Sequence, residues 1–322
     1  MTATGAADAL LSHTWKADEE VVDDGTWEHQ PGPITRMVDD TIWSTTVNVP
    51  AHAGDLFQSH RKAALPDTKD SAPCDAVVHE FVLNAHSAER VNTELRVWGA
   101  AEYMSGREGT PGKSSVGGYH SEVDIFRATK VDAWYRSVHD VVLAALSCVE
   151  PGWCGAGEDA AECTADVAGW LNVSRRLDYN TMHGHGGCVW SCVYYADDGA
   201  APDPRATTRS RTRVREGAAA ASPPLSEDER SGLLGALLLR TRPDPLVQAF
   251  EFTPLAPNPG RLLIFPAHLQ HAVMPRALRC PPIPLSAPPW ALSLRISVAM
   301  NAYAPKTFRP GAYCLGGVLV SR

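Results

Sequence analysis

A mostly-β domain with flanking helices, of the α+β or barrel kind, is the fold class that three observations predict. Short runs of alternating or apolar residues recur from about residue 76 to the C-terminal region. Pro- and Gly-rich turns separate them, as in an all-β barrel or sandwich. One segment of helical period precedes most of these runs, and no internal repeat is visible.

The elements follow in chain order. Residues 1–75 mix acidic clusters with short apolar pieces such as TIWSTTVNVPAH, and are read as an N-terminal extension that adds a strand or wraps the main domain. Residues 76–322 form that domain. Within 128–150, Val131, Trp134, Tyr135, Val138, Val142 and Leu146 recur at helical spacing, with Thr129 and Asp132 placed as a capping box. VAGWLNVS (167–174) reads as a strand, and residues 179–199 as a second strand with a Gly-rich entry. Residues 200–225, rich in Ala, Pro, Arg and Gly, read as an inserted loop. The segment 226–240 is expected to be a short helix, with Ser226 as cap, Glu229 three residues on and an apolar body. Strands are then expected in LVQAFEFT, GRLLIFPAHLQHAVMP and WALSLRISVAMNAY.

Composition narrows the class of partner. With 44% hydrophobic and 20% charged residues over 322 positions, the chain can fill a sizeable core. A net charge of −8 argues against nucleic acid and anionic membrane surfaces, leaving small molecules and proteins. No run approaches a membrane span and the N-terminus lacks a signal-peptide pattern. Eight cysteines without a CxxC pair suit reduced thiols in an intracellular, cytoplasmic protein. The Asn172-Val-Ser174 sequon lies in a strand-like run and reads as chance.

The chemistry concentrates in two stretches. In YNTMHGHGGCVWSCVYYADDG, an extended backbone would project His183 and His185 to the same side, as two adjacent metal ligands. The spacing alone equally allows a hydrogen-bonded pair. In LLIFPAHLQHAVMP, an apolar strand meets Pro266 and places His268 and His271 at its end, where a barrel mouth is built. A distant histidine joining an HxH pair completes a three-residue facial site; the other reading of His271 is a bond to a turn carbonyl. In LSLRISVAMN, alternation separates Leu294, Ile296 and Val298 from Arg295 and Ser297. An inward arginine needs an anion, either a structural carboxylate or a carboxylate-bearing cosubstrate.

Together these pieces resemble the 2-oxoglutarate/Fe(II)-dependent oxygenases with a double-stranded β-helix core. The resemblance spans roughly residues 80–303. It is carried by GGYHS (117–121), Asn180-x-x-His183-x-His185, SCVYY (191–195), DPR (203–205), LLIFPAHLQHAV and RISVAMN. It implies a jelly-roll, cupin-like core and an oxygenase that oxidises, by hydroxylation first of all, a C–H bond of a small-molecule or protein side-chain substrate. O2 is consumed and succinate and CO2 are released. It further implies Fe(II) held by His183, His185 and His271, with His185 standing where most such enzymes carry an acid. Arg295, Ser297, Tyr195 and Asn180 are the residues implied for 2-oxoglutarate, and Arg205, Asn301 and Tyr194 for the substrate. The competing readings are a three-His thiol dioxygenase that needs no 2-oxoglutarate and a non-catalytic jelly-roll binding module.

Overall fold

Alternation along one strand sorts the whole molecule into layers. In β13 (Arg295–Tyr303), Ile296, Val298, Met300 and Ala302 enter one apolar cluster, whereas Arg295, Ser297, Ala299, Asn301 and Tyr303 line a cavity on the opposite face. The computed structural model describes residues 45–47, 53–65, 77–105, 114–121, 125–126, 133–150, 166–175, 177–199, 235–244, 249–276, 294–303, 314–315 and 318–319.

The remaining strands are β1 (Thr45–Val47), β2 (Phe57–Ala64), β3 (Val77–Leu83), β4 (Ser115–Val116), β5 (Tyr119–His120), β6 (Asp166–Ser174), β7 (Tyr179–His183), β8 (Trp190–Asp198), β9 (Leu237–Asp244), β10 (Ala249–Leu255), β11 (Arg261–Pro266), β12 (His271–Val273), β14 (Cys314–Leu315) and β15 (Val318–Leu319). The larger sheet has the order β1-β2-β3-β11-β8-β13-β6-β5 and the smaller one β10-β9-β12-β7-β4. All their pairings are antiparallel. Apolar side chains from both sheets form one cluster: Val78, Tyr195, Leu263 and Phe265 from the larger meet Leu237, Leu239 and Leu255 from the smaller. Two antiparallel sheets closed face to face over a shared cavity make the double-stranded β-helix.

Helices cover the outer face of the larger sheet. The first, α1 (Ala85–Met104), starts at Asn84, whose side chain accepts from the Ser87 N–H at 2.9 Å. Its buried stripe is Ser87, Val91, Asn92, Leu95 and Gly99. At Gly99 an added Cβ would sit 3.2 Å from Ile296, so the missing side chain lets α1 lie close on β13. The second, α2 (Ala133–Val149), buries Val138, Val142 and Leu146, three of the six residues whose spacing predicts it. Thr129 and Asp132 lie outside the described residues.

Four expectations need correcting. The apolar body of 226–240 is not helical where it is described: Leu237–Asp244 is a strand. Leu237 and Leu239 enter one apolar cluster and Leu238 another, and a run buried on both faces lacks the alternation that would mark it as β. Residues 179–199 form two strands in different sheets, β7 and β8, split by the glycine-containing turn. Likewise 260–275 splits into β11 and β12 around Pro266. Helix α1 was not expected, because Ser, Asn and Gly supply most of its buried face. The loop 200–225 lies outside the described residues. β2 extends the larger sheet by pairing with β3.

Candidate active site

β7 and β12 are neighbours in the smaller sheet, and their register sets His183 directly opposite His271. The chain then leaves β7. His185 sits in the following loop, where its N–H donates to the Ala267 carbonyl at 3.0 Å. The two histidines of HGH therefore converge through a loop rather than through strand alternation. The tight turn rests on Gly187, at φ +82°, while Gly186 has an ordinary φ and open space around it.

The three rings form a compact cluster. Ligand atoms of His183, His185 and His271 all lie within 4.8 Å of one another, and His185 Nε2 is 3.3 Å from His271 Nε2. Cis ligands with metal–imidazole bonds of about 2.1 Å stand roughly 3 Å apart, so the spacing fits a shared ion. His183 Nδ1 donates to the Thr181 carbonyl at 2.7 Å, and His271 Nδ1 to the Leu269 carbonyl at 2.9 Å. Each bond fixes the tautomer and leaves the Nε2 lone pair pointing into the cluster. His185 is oriented by ring contacts instead: Trp170 at 5.7 Å, an indole on which His120 stacks at the same distance.

Burial keeps the rings neutral. Desolvation lowers the pKa of His183, takes His185 to about 4 and, with the neighbouring His183, takes His271 to about 3. Neutral imidazoles facing each other through lone pairs require a proton or a cation between them. A metal ion meets that requirement at pH 7 without first displacing a proton.

Arg295, only 2% exposed, opens the far end of the cavity wall. Its guanidinium donates to the carbonyls of Gly235 and Met274, each at 3.2 Å, and to Ser174 Oγ at 3.0 Å. Among the described residues it forms no ion pair with a carboxylate. Burial lowers its pKa to about 10, which leaves it cationic at neutral pH. Tyr195 faces the same space, and its hydroxyl is buried with no partner among the described residues. A buried cation beside a phenol with no partner among the described residues has the donors that a carboxylate needs. This donor set fits 2-oxoglutarate.

The cavity measures about 440 Å³ and is lined by the three histidines together with Asn180, Tyr195, Arg295, Ser297 and Asn301. Asn180 donates to Ser115 Oγ at 3.0 Å, and Ser114 Oγ lies 3.3 Å from His183 Nε2. Tyr194 is a correction: alternation turns it to the helix side, where its hydroxyl donates to Asn92 Oδ1 at 2.6 Å. Arg205 lies outside the described residues. His268 does not line the cavity, whereas His120, Trp170, Asn172 and Ser191 do. Trp170 and Asn172 are two apart in one strand, so period-2 reading of VAGWLNVS could have paired them. The sequon residues Asn172 and Ser174 are buried, out of reach of glycosylation.

The family model described as "Putative 2OG-Fe(II) oxygenase" matches residues 168–281. No curated protein matches the sequence. Among solved structures, a prolyl-4-hydroxylase from Pseudomonas putida is similar at 13% identity, covering 71% of this chain and 92% of its own, with a TM-score of 0.39. AviO1 from Streptomyces viridochromogenes Tue57 is similar at 13% identity over 83% of this chain and 99% of its own, with a TM-score of 0.38. Likenesses at that level assign neither a substrate nor a residue's role.

Proposed function

We propose, from the premise that this chain is a 2-oxoglutarate- and Fe(II)-dependent oxygenase, that His183, His185 and His271 hold the iron and that Arg295, with Ser297 and Tyr195, holds the distal carboxylate of 2-oxoglutarate. The observation that carries the assignment is a buried guanidinium with no carboxylate partner among the described residues, on the wall of the cavity where three neutral imidazoles converge.

The bound iron and cosubstrate supply the oxidising power, with 2-oxoglutarate and O2 consumed, succinate and CO2 released, and a substrate C–H bond oxidised, by hydroxylation in our reading. The protein supplies the rest. Two backbone carbonyls hold His183 and His271 in the ligating tautomer. Arg295 arrives already oriented by three hydrogen bonds, so little ordering is spent when the carboxylate binds. Tyr195 stays protonated, because burial raises its pKa, and can donate from its unpaired hydroxyl. Asn180 stands beside His183, tied to Ser114 and Ser115. We assign residues 1–75 as an extension and 76–322 as the oxygenase domain. The net charge of −8 favours a small-molecule or protein side-chain substrate over nucleic acid, and the eight cysteines without a CxxC pair suit a cytoplasmic setting.

Anaerobic titration of the Fe(II)-loaded protein with 2-oxoglutarate tests the assignment. A metal-to-ligand charge-transfer band is expected in the wild type. It should vanish in His271→Ala and need at least tenfold more 2-oxoglutarate in Arg295→Ala. Stoichiometric iron without a band would sink the cosubstrate assignment and favour a three-His thiol dioxygenase.

A further inference from the structure

The cavity wall carries a second polar feature that neither the metal cluster nor the Arg295 cradle uses. On β13 the residues facing the cavity run Arg295, Ser297, Ala299, Asn301, Tyr303. Asn301 stands six residues from Arg295, about 20 Å along the strand. Its register partner on β8 is Ser191, whose own partner on β11 is Phe265. The Phe265 ring packs edge-on against His271, with centroids 5.0 Å apart. Ser191 and Asn301 therefore sit at the histidine end of the cavity, away from the guanidinium.

In each residue one polar atom is buried and unmet among the described residues. Ser191 is 2% exposed; its Oγ and the Asn301 Oδ1 have no hydrogen-bond partner among the described residues. Buried polar atoms are almost always satisfied, and two orphans in register on one cavity wall cost stability unless a ligand completes them.

We infer that Ser191 and Asn301 are the docking point of the primary substrate and that the group they receive is a neutral carboxamide, an inference that rests on the oxygenase reading of the cavity. The unmet atom of the asparagine is an acceptor, Oδ1, and the serine adds a hydroxyl that can donate. A carboxamide completes both at once, its N–H donating to Oδ1 and its C=O accepting from the serine hydroxyl. Charge selects against the ionic alternatives. Among the described residues the lining holds no Asp, Glu or Lys, and its one permanent charge, Arg295, is engaged by the cosubstrate. An ammonium or carboxylate docking at Ser191 and Asn301 would be desolvated without a counter-ion.

The wall between the two polar features also shapes the substrate. Trp170, Ala299 and Val193 are register partners across β6, β13 and β8, and the Trp170 ring lies 5.7 Å from that of His185. That row is apolar. It accommodates an aliphatic segment beside the amide and brings its C–H bonds toward the histidine cluster.

Acetamide, acetamidinium and acetate, three nearly isosteric probes, test the inference. Each is titrated by saturation-transfer NMR into full-length protein loaded with redox-inert Zn(II) and saturating 2-oxoglutarate. Acetamide is expected to bind at least fivefold more tightly than either ion, and without displacing 2-oxoglutarate. Ser191→Ala and Asn301→Leu should weaken it at least fivefold, with folding checked by thermal melting. Asn301→Asp, which keeps the shape, should transfer the preference to acetamidinium. No acetamide binding to the wild type, equal binding of acetate, displacement of 2-oxoglutarate, or an unchanged preference in Asn301→Asp would each overturn it. A separate 2-oxoglutarate titration of the wild type without probes shows whether the oxygenase reading itself has failed.

Discussion

Adjacent tyrosines in β8 show how one residue step decides a role. Tyr195 faces the cavity with a hydroxyl that has no partner among the described residues, and Tyr194 faces α1 with a 2.6 Å bond to Asn92. Tyr195→Phe should therefore leave the melting temperature unchanged or slightly raised, since it deletes an unsatisfied buried hydroxyl. It should weaken 2-oxoglutarate binding severalfold, because the cradle loses a donor. Tyr194→Phe should do the opposite: a loss of about 1–2 kcal/mol of stability from the orphaned Asn92, with 2-oxoglutarate affinity unchanged. Thermal melts beside 2-oxoglutarate titrations of both variants check the pair. A stability loss confined to Tyr195→Phe would mean that the two faces of β8 have been exchanged.

At the level of elements, the turn after β7 carries His185 into the three-histidine cluster. Gly187 adopts φ +82°, and an added Cβ would meet nothing within 4 Å, so Gly187→Ala meets backbone strain alone, about 1–2 kcal/mol. Gly186→Ala has neither strain nor contact to suffer and should be close to neutral. Chemical denaturation should separate the two, and iron affinity should fall only in the Gly187 variant, because the strained turn re-aims His185. The same turn marks where the sequence was legible and where it was not. The meeting of HGH with the distant His271, and the inward Arg295, could be read because paired histidines, alternation and charge leave local signatures. The path of His185 into the site was not, since a loop conformation set by the Ala267 carbonyl has no period. Helix α1 escaped for a related reason: only Val91 and Leu95 of its buried stripe are large and apolar, and Gly99 owes its place to the closeness of Ile296. Leu237–Leu239 was misread because burial on both faces erases the alternation that distinguishes strand from helix.

For the molecule as a whole, buried histidines set the response to acid. Besides the three-histidine cluster, the larger sheet encloses His60 and His79, whose rings share a hydrogen bond of 3.1 Å. His60 stacks on Phe81 with centroids 4.0 Å apart, and His79 meets the edge of Trp190. Desolvation first, then the nearby positive charge of Lys62, lowers the His60 pKa to about 4; desolvation, with His60 and Lys62, lowers that of His79 to about 3. Unfolded histidines take up protons near pH 6.5, so between that value and about 4 the unfolded chain binds more protons than the folded one. Stability is then complete above about pH 6.5 and drains away as the pH falls toward 4 and below. His185 and His271 act with the same sign, and bound metal does not reverse it, because protons compete with the ion for the same lone pairs. The metal-free protein should accordingly lose melting temperature steadily from pH 7 to pH 4.5. Saturating metal should raise the whole curve, by about 2.7 kcal/mol at a hundredfold excess over the dissociation constant. Replacing the pair by His60→Phe and His79→Phe removes two of the proton sites, so the slope against pH should flatten whatever happens to absolute stability. An unchanged slope in that double variant would mean that acid unfolds the protein elsewhere, and that the His60–His79 pair titrates normally in the folded state.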